Sequence, residues 1–204
     1  YGMHYTTNYL GADPASGRPI FEGADGKPTT DAAKAVNLAK FGSFIPVHVG
    51  GATIDISYKK FSIGALFSYQ FDVVRSNNQK NWMMNGTIGF HATVNARRDL
   101  LEDQWRKPGD QKFIHSPLYD RGFSSTDLED AKFLRLRNLV VGYQIPAIRL
   151  NGSQVIRGGR FYIQGQNLAI WSPWTGTDPE DNNNISLNEY PNPKMIVVGI
   201  DINF

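Results

Sequence analysis

Few side chains in this sequence could carry an active site's chemistry, and they stand apart from one another. The histidines His4, His48, His91 and His115 fall in no HExxH or HxxxH spacing, so no helix face offers two of them to one metal ion. They read as ordinary surface or strand histidines. Asp178 and Glu180 form a carboxylate pair two residues apart. Paired carboxylates can hydrolyse glycosides, but this pair lies in a Pro/Asn-rich loop, where acids usually face solvent. Glu102–Asp103 reads as the solvated face of a short helix. Cysteine is absent, which excludes a disulfide framework, a thiolate metal site and a Cys nucleophile. Nucleophile elbow, phosphate loop and dinucleotide fingerprint are missing as well. The expectation is a protein that is not an enzyme, with no catalytic, cofactor-binding or metal-binding residue and no cofactor. Trp82, Trp105, Trp174 and Tyr190 are the remaining candidates, since an aromatic ring face can stack on the C–H face of a sugar. Loop packing or contact with a partner protein is the favoured reading, because interface loops also enrich Trp and Tyr.

The totals set the class of molecule that must position these residues. With 21 basic and 19 acidic side chains the net charge is +2, and no Lys/Arg cluster marks a nucleic-acid site. At 41% hydrophobic and 20% charged, the 204 residues are not disordered throughout. Aromatic and glycine content favours strands and turns over helices. No run approaches the ~20 apolar residues of a membrane helix, a test that barrel strands escape because only alternate residues face lipid.

Five segments alternate with period two. Ile54 and Ile56 alternate with Thr53, Asp55 and Ser57 across residues 47–58. After a break at Lys59–Lys60, Phe61, Ile63, Phe67 and Phe71 do the same across 61–73, with Leu66 the exception. Leu139, Val141, Tyr143 and Ile145 share a face of 131–145, which Pro146 stops. Residues 159–171 alternate imperfectly. Ile196, Val198, Ile200, Ile202 and Phe204 share a face of 194–204. Residues 1–46 read as loops with short strands near His4–Leu10 and Pro19–Glu22, and Ala32–Ala39 as one or two helical turns. A turn is expected at Asn151–Gly152 and a short helix over Asn95–Trp105.

Long connections at 74–130 and 172–193 alternate with short or moderate ones, as in transmembrane barrels, where short turns are periplasmic and long loops extracellular. On that reading the C-terminus is periplasmic. Tyr58, Phe61, Tyr143, Phe161 and Phe204 then form one interfacial girdle, and Phe71 and Trp171 belong to the other. Arg135 and Arg137 would be costly in lipid, at ~2–4 kcal/mol each at midplane, so they face the lumen or the outer rim. A soluble carbohydrate-binding β-sandwich shares the alternation. Strands of roughly 11–15 residues, against the usual 5–6, tilt the reading to a barrel.

SSTDLEDAKFLRLRNLVVGYQIP (Ser124–Pro146) resembles the late-barrel signature of SusC/RagA-type TonB-dependent outer-membrane proteins of the Bacteroidota. FYIQGQNLAIW, TGTDPE and YPNPKMIVVGIDINF follow in that family's order. YLGADPASGRPIFEGADG and IPVHVGGATIDISYKKFSIGALF match upstream, so the resemblance spans nearly the whole chain. Phe133 stands where the family usually has Tyr. The family's Asp-rich loop is thinned in GADGKPTTD to Asp25 and Asp31 after Glu22, so no metal is expected there.

The resemblance implies an all-β, antiparallel transmembrane barrel of 22 strands, of which the last five or so are here. It implies a lumen closed by a plug, a SusD-like surface lipoprotein as lid, and TonB acting through N-terminal parts outside this sequence. The expected partners are thus the lid, the rest of the barrel and plug in the same or another chain, TonB indirectly, and lipid or lipopolysaccharide. The expected place is the bacterial outer membrane, and the expected function a share in importing oligosaccharides or peptides. A structural scaffold without transport is the alternative. The resemblance also makes Asp178 a loop-shaping residue and Phe204 a barrel-assembly signal. Lipid-facing residues are expected at Ile54, Ile56, Phe61, Ile63, Phe67, Phe71, Leu139, Val141, Tyr143, Ile196, Val198, Ile200 and Ile202. Because the smallest membrane barrels have about eight strands, five must pair with further strands.

Overall fold

A computed structural model describes residues 2–84, 98–150, 153–180, 185–186 and 189–204. His91, Asn95 and the turn residues Asn151–Gly152 lie outside the described residues. The chain is all-β, with few and short helices, and divides into two compact units. One comprises residues 47–71, 132–173 and 190–204; the other comprises 1–46, 72–131 and 174–189. The long connections therefore group with the N-terminal stretch, not with the strands they join.

The first unit is built on a five-stranded antiparallel meander. Its strands are β1 (His48–Tyr58), β2 (Phe61–Phe71), β3 (Phe133–Ile145), β4 (Gly158–Trp171) and β5 (Met195–Asn203). Each strand pairs with its neighbours in sequence, so spatial order equals chain order. Period-two patterning fixes the register, because a one-residue slip would turn every apolar side chain to the other face. Tyr58 pairs with Phe61 across a two-residue turn, which Lys59 closes with φ 54°.

β3 carries a bulge. Between Leu136 and Asn138 the register shifts on both sides: Arg137 is the extra residue against β2, where Leu66 and Phe67 are consecutive, whereas against β4 the single Arg137 stands opposite Asn167–Leu168. Strict alternation from Leu139 would put Arg137 and Arg135 on the apolar face. The extra residue instead turns Arg135, which pairs with Ser68, to the polar face, and Arg137 Nε donates to Ser68 Oγ at 2.7 Å.

Among its described residues the second unit holds short strands, turns, the short helices α1 (Asn78–Met84) and α2 (Arg98–Asp103), and a 3-10 turn at Ser125–Asp127. Tyr9–Ala12, Pro19–Glu22 and Pro28–Thr29 make a three-stranded sheet, and Val74–Ser76 pairs with Leu128–Asp130. The helical turns expected over Ala32–Ala39 do not form. Asp31 Oδ1 accepts the Ala33 N–H in a turn, and Asn37–Leu38 is extended against Thr6–Thr7, so long-range pairing overrides weak local propensity. Tyr9 sits edge-on to Phe21, Phe113 and His115, and its buried hydroxyl donates to the Phe113 carbonyl at 2.5 Å.

Candidate functional site: two faces of one sheet

The register places Ile54, Ile56, Phe61, Ile63, Phe67, Phe71, Leu139, Val141, Tyr143, Ile196, Val198, Ile200 and Ile202 on a single face. Ile56, Ile63, Val141, Ile163 and Val198 form one straight row across all five strands. These side chains are exposed or half-exposed; Ile196 is 72% exposed and Ile56 59%.

Two aromatic rows border this face. Tyr58, Phe61, Tyr143 and Phe161 lie in register near the short turns, with the Phe61 and Tyr143 rings 5.0 Å apart. At the other end Tyr69, Leu134 and Trp171 share a row, and Tyr69 stacks on Phe71 at 5.0 Å. Eight residues separate Phe61 from Tyr69, about 27 Å of strand; with a tilt near 40° the rows stand roughly 21 Å apart, close to the ~25 Å apolar band of membrane barrels.

The opposite face is mostly polar, with Leu66, Val140 and Val197 as apolar exceptions. Thr53, Asp55, Ser57, Asn138, Gln164, Tyr162, Arg160 and Asp201 line a shallow trough of about 510 Å³. Gln164 Nε2 donates to Asn138 Oδ1 at 2.9 Å. Glycines make the floor. A Cβ on Gly64 would lie 2.8 Å from Asp55 Oδ1, and one on Gly142 would lie 2.9 Å from Arg160 Nε, so both long side chains lie flat over bare backbone. The trough offers hydrogen bonds and charge without a nucleophile–base pair.

The second unit holds most of the loop candidates. Trp105 is a packing residue: its Nε1 donates to the Pro14 carbonyl at 3.0 Å and Gly17 lies against its ring. Trp174 is buried with Val73 and Ala131 and abuts Gly176. Both tryptophans are 9% exposed, which leaves little ring face open to a ligand. Trp82 is 52% exposed; Tyr190, in the sheet unit, is 99% exposed. Asp178 Oδ1 accepts the Glu180 N–H at 2.9 Å, shaping the loop. Glu102 pairs with Arg98 along α2. His4 Nε2 lies 2.8 Å from the Val74 carbonyl, and His48 lies in β1. Burial holds His115 below the usual imidazole range, against the raising effect of the Ser116 carbonyl 2.9 Å from Nδ1. Among the described residues, no three acidic or histidine side chains converge on a metal position.

Sequence reasoning missed the acids that matter most in this unit. Asp127, fully buried, accepts both Arg121 guanidinium nitrogens at 2.6 Å, the Ser124 N–H at 3.0 Å and Asn81 Nδ2 at 3.0 Å. Glu129 accepts Lys80 at 2.9 Å and the Thr175 N–H at 3.1 Å. Burial pushes Glu129 up, but hydrogen bonds from Lys80 and Thr175 with the Lys80 charge outweigh it, and the net shift is downward. The signal lay in SSTDLED, where Asp127 stands just before the short strand Leu128–Asp130 and Glu129 in the middle of it.

The geometry has its counterpart in solved proteins. The RagAB peptide importer in its open-open state superposes with a TM-score of 0.85 at 29% identity, over 99% of this chain and 22% of that one. Among curated proteins, TonB-dependent receptor P3 of Formosa agariphila is 26% identical over 97% of this chain. TonB-dependent receptor SusC of Bacteroides thetaiotaomicron is 32% identical over 76% of it. The chain is homologous to the SusC-type TonB-dependent receptors. It spans about a fifth of the length of the relatives it matches, 20% for the Formosa receptor and 15% for SusC. No protein-family model matches it. These SusC-type relatives are receptors and transporters of the outer membrane, not enzymes.

Proposed function

We propose that this chain forms part of the barrel wall and the outer loops of a TonB-dependent importer of oligosaccharides or peptides, working beneath a SusD-like lipoprotein lid. The observation that carries the reading is the two-faced meander, with its apolar face bounded by aromatic rows at a membrane's spacing. On this reading the apolar face meets lipid and lipopolysaccharide. The polar trough meets the hydrated lumen, where charged side chains stay solvated. The short turns and the C-terminus lie in the periplasm, and the loop unit is extracellular. The edges of β1 and β5 pair with further barrel strands, because an unpaired edge in hydrocarbon costs several kcal/mol per backbone group. TonB acts through the plug, so import proceeds by gating and plug movement, without bond chemistry in this segment.

Phe204, 79% exposed beyond the end of β5, serves as the assembly signal. The exposed Trp82 and Tyr190 are the loop aromatics left to touch the lid or a ligand. The test is uptake. Cells lacking the protein should lose import of one labelled oligosaccharide or peptide class, and affinity capture from detergent-extracted outer membrane should bring down a surface lipoprotein. Recovery of the protein in the water-soluble fraction, or unchanged uptake of every labelled compound, would sink the reading.

A further inference from the structure

Two of the motifs that carry the family resemblance have no place in the barrel wall: SSTDLED (Ser124–Asp130) and TGTDPE (Thr175–Glu180). Both lie in the loop unit, where they meet. The strand Leu128–Asp130 pairs with Val74–Ser76, and from it Glu129 reaches two further segments. One carboxylate oxygen lies 2.9 Å from Lys80 Nζ on α1. Across 46 residues of sequence, the Thr175 N–H donates to Glu129 Oε2 at 3.1 Å and the Thr175 hydroxyl to Oε1 at 2.9 Å. Asn77 Nδ2 closes the triangle, 3.3 Å from Glu129 Oε2 and 3.2 Å from Thr175 Oγ1.

Neighbouring bonds run the same way. Arg75 donates to the Pro179 carbonyl, and the Asn78 N–H to Ser186 Oγ at 3.2 Å. The Ser186 N–H donates to the Ser76 carbonyl at 3.0 Å. Two residues before Glu129, the buried Asp127 ties the same helix to its own turn through Asn81 and Arg121.

We propose that Glu129 is the pin of a clamp that makes three loop segments, 75–81, 121–130 and 175–180, move as one body. A ligand or partner that displaces one segment thereby displaces all three. The carboxylate is suited to this because it is acceptor-only, with room for about four donors on two oxygens, and here it receives Lys80, Asn77 and two donors from Thr175. A glutamine would offer one acceptor oxygen and would turn an N–H₂ toward Lys80 or Thr175. The inference concerns contacts inside the loop unit and stands whether or not the sheet unit lies in a membrane.

Hydrogen exchange on the intact protein in detergent, resolved by peptide, tests it. Glu129→Gln should speed exchange on the order of ten-fold or more in both Asn78–Met84 and Thr175–Glu180, as expected for losing a charge-assisted hydrogen bond. Peptides from β2 and β5 should keep their wild-type rates, which shows that the fold persists. Two milder variants read the coupling in opposite directions. Lys80→Met should loosen Thr175–Glu180, and Thr175→Val should loosen Asn78–Met84. If Lys80→Met leaves Thr175–Glu180 at its wild-type rate, or Thr175→Val leaves Asn78–Met84 unchanged, the segments open independently and the clamp does not exist.

Discussion

Leu139 and Val140 are adjacent apolar residues in the central strand, and the register sends them to opposite faces. Leu139 sits between Ala65 and Gly165 on the apolar face, four residues from Tyr143 in the aromatic row. That is about 14 Å along the strand, or roughly 10 Å in depth at a tilt near 40°, which places it close to the middle of a ~25 Å band. Val140 lines the polar trough beside Gly64 and Gln164. Arginine substitution is therefore a matched pair, with like chemistry on neighbouring residues and different solvents. Leu139→Arg should cost ~2–4 kcal/mol, because a guanidinium near the bilayer midplane must snorkel or thin the membrane. That lowers the folding equilibrium about 30- to 700-fold. Val140→Arg should change stability by less than ~1 kcal/mol, since the new charge enters a hydrated trough already holding Asp55. The assay is denaturant unfolding of the intact protein in lipid vesicles, followed by the heat-dependent gel shift of folded barrels. Equal costs for the two variants, or a larger one for Val140→Arg, would refute the assignment of faces.

Arg121→Met should destabilise the loop unit by ~3–5 kcal/mol, because it strands the carboxylate of Asp127, which is buried and bidentate to Arg121; limited proteolysis of the loops reads the loss. Gly199→Val places a side chain on the Tyr162 ring that lies over this glycine, costing ~1–3 kcal/mol, and Tyr162→Ala in the same chain should recover most of it, as a double-mutant cycle measures. Because the folded-state pKa of Glu129 lies below its ordinary 4.5, the stability it supplies is fully present above that value and is lost as pH falls through the lower one. Protection of the Thr175 amide should fall in that window in the wild type and show no such step in Glu129→Gln. Trp105→Ala should cost ~3–5 kcal/mol in thermal unfolding, whereas Trp82→Ala should stay within ~0.5 kcal/mol.

The wall was legible because its physics is local. In an antiparallel sheet with unlike faces, period two is both the sequence pattern and the constraint on register, so Ile54, Val141 and Val198 reveal their face one strand at a time. The bulge at Arg137 was not legible. Alternation read upstream from Leu139 conflicts with two arginines, and only the pairing with β2 shows that β3 carries an extra residue there. Tyr69 and Leu134 belong to an aromatic border whose members are far apart in sequence and adjacent only through register. The loop unit resisted for a related reason. Nothing near Glu129 announces Thr175, 46 residues on, and an acid in a polar loop ordinarily faces water.

The distribution of polarity then argues for the solvent. Arg75, Asn77, Asn81, Arg121, Ser124 and Asp127 are buried, while Ile54, Ile56, Phe61, Val198 and Ile200 are exposed. In water this arrangement would cost twice: apolar area left wet at ~25 cal/mol per Å², and charges withdrawn from solvent. Each half has a separate remedy. The buried charges are satisfied internally, since Asp127 alone gains both arms of Arg121, a backbone N–H and an amide. The exposed apolar side chains have no such internal remedy, because they lie on the outer face of a single sheet whose other face is mostly polar. A second sheet packed over them, as in a sandwich, would cover the apolar rows but would give no reason for the Tyr58–Phe161 row to gather at the rim beside the short turns. On the proposed reading, lipid puts that row at an interface, with the Lys59–Lys60 turn just beyond it.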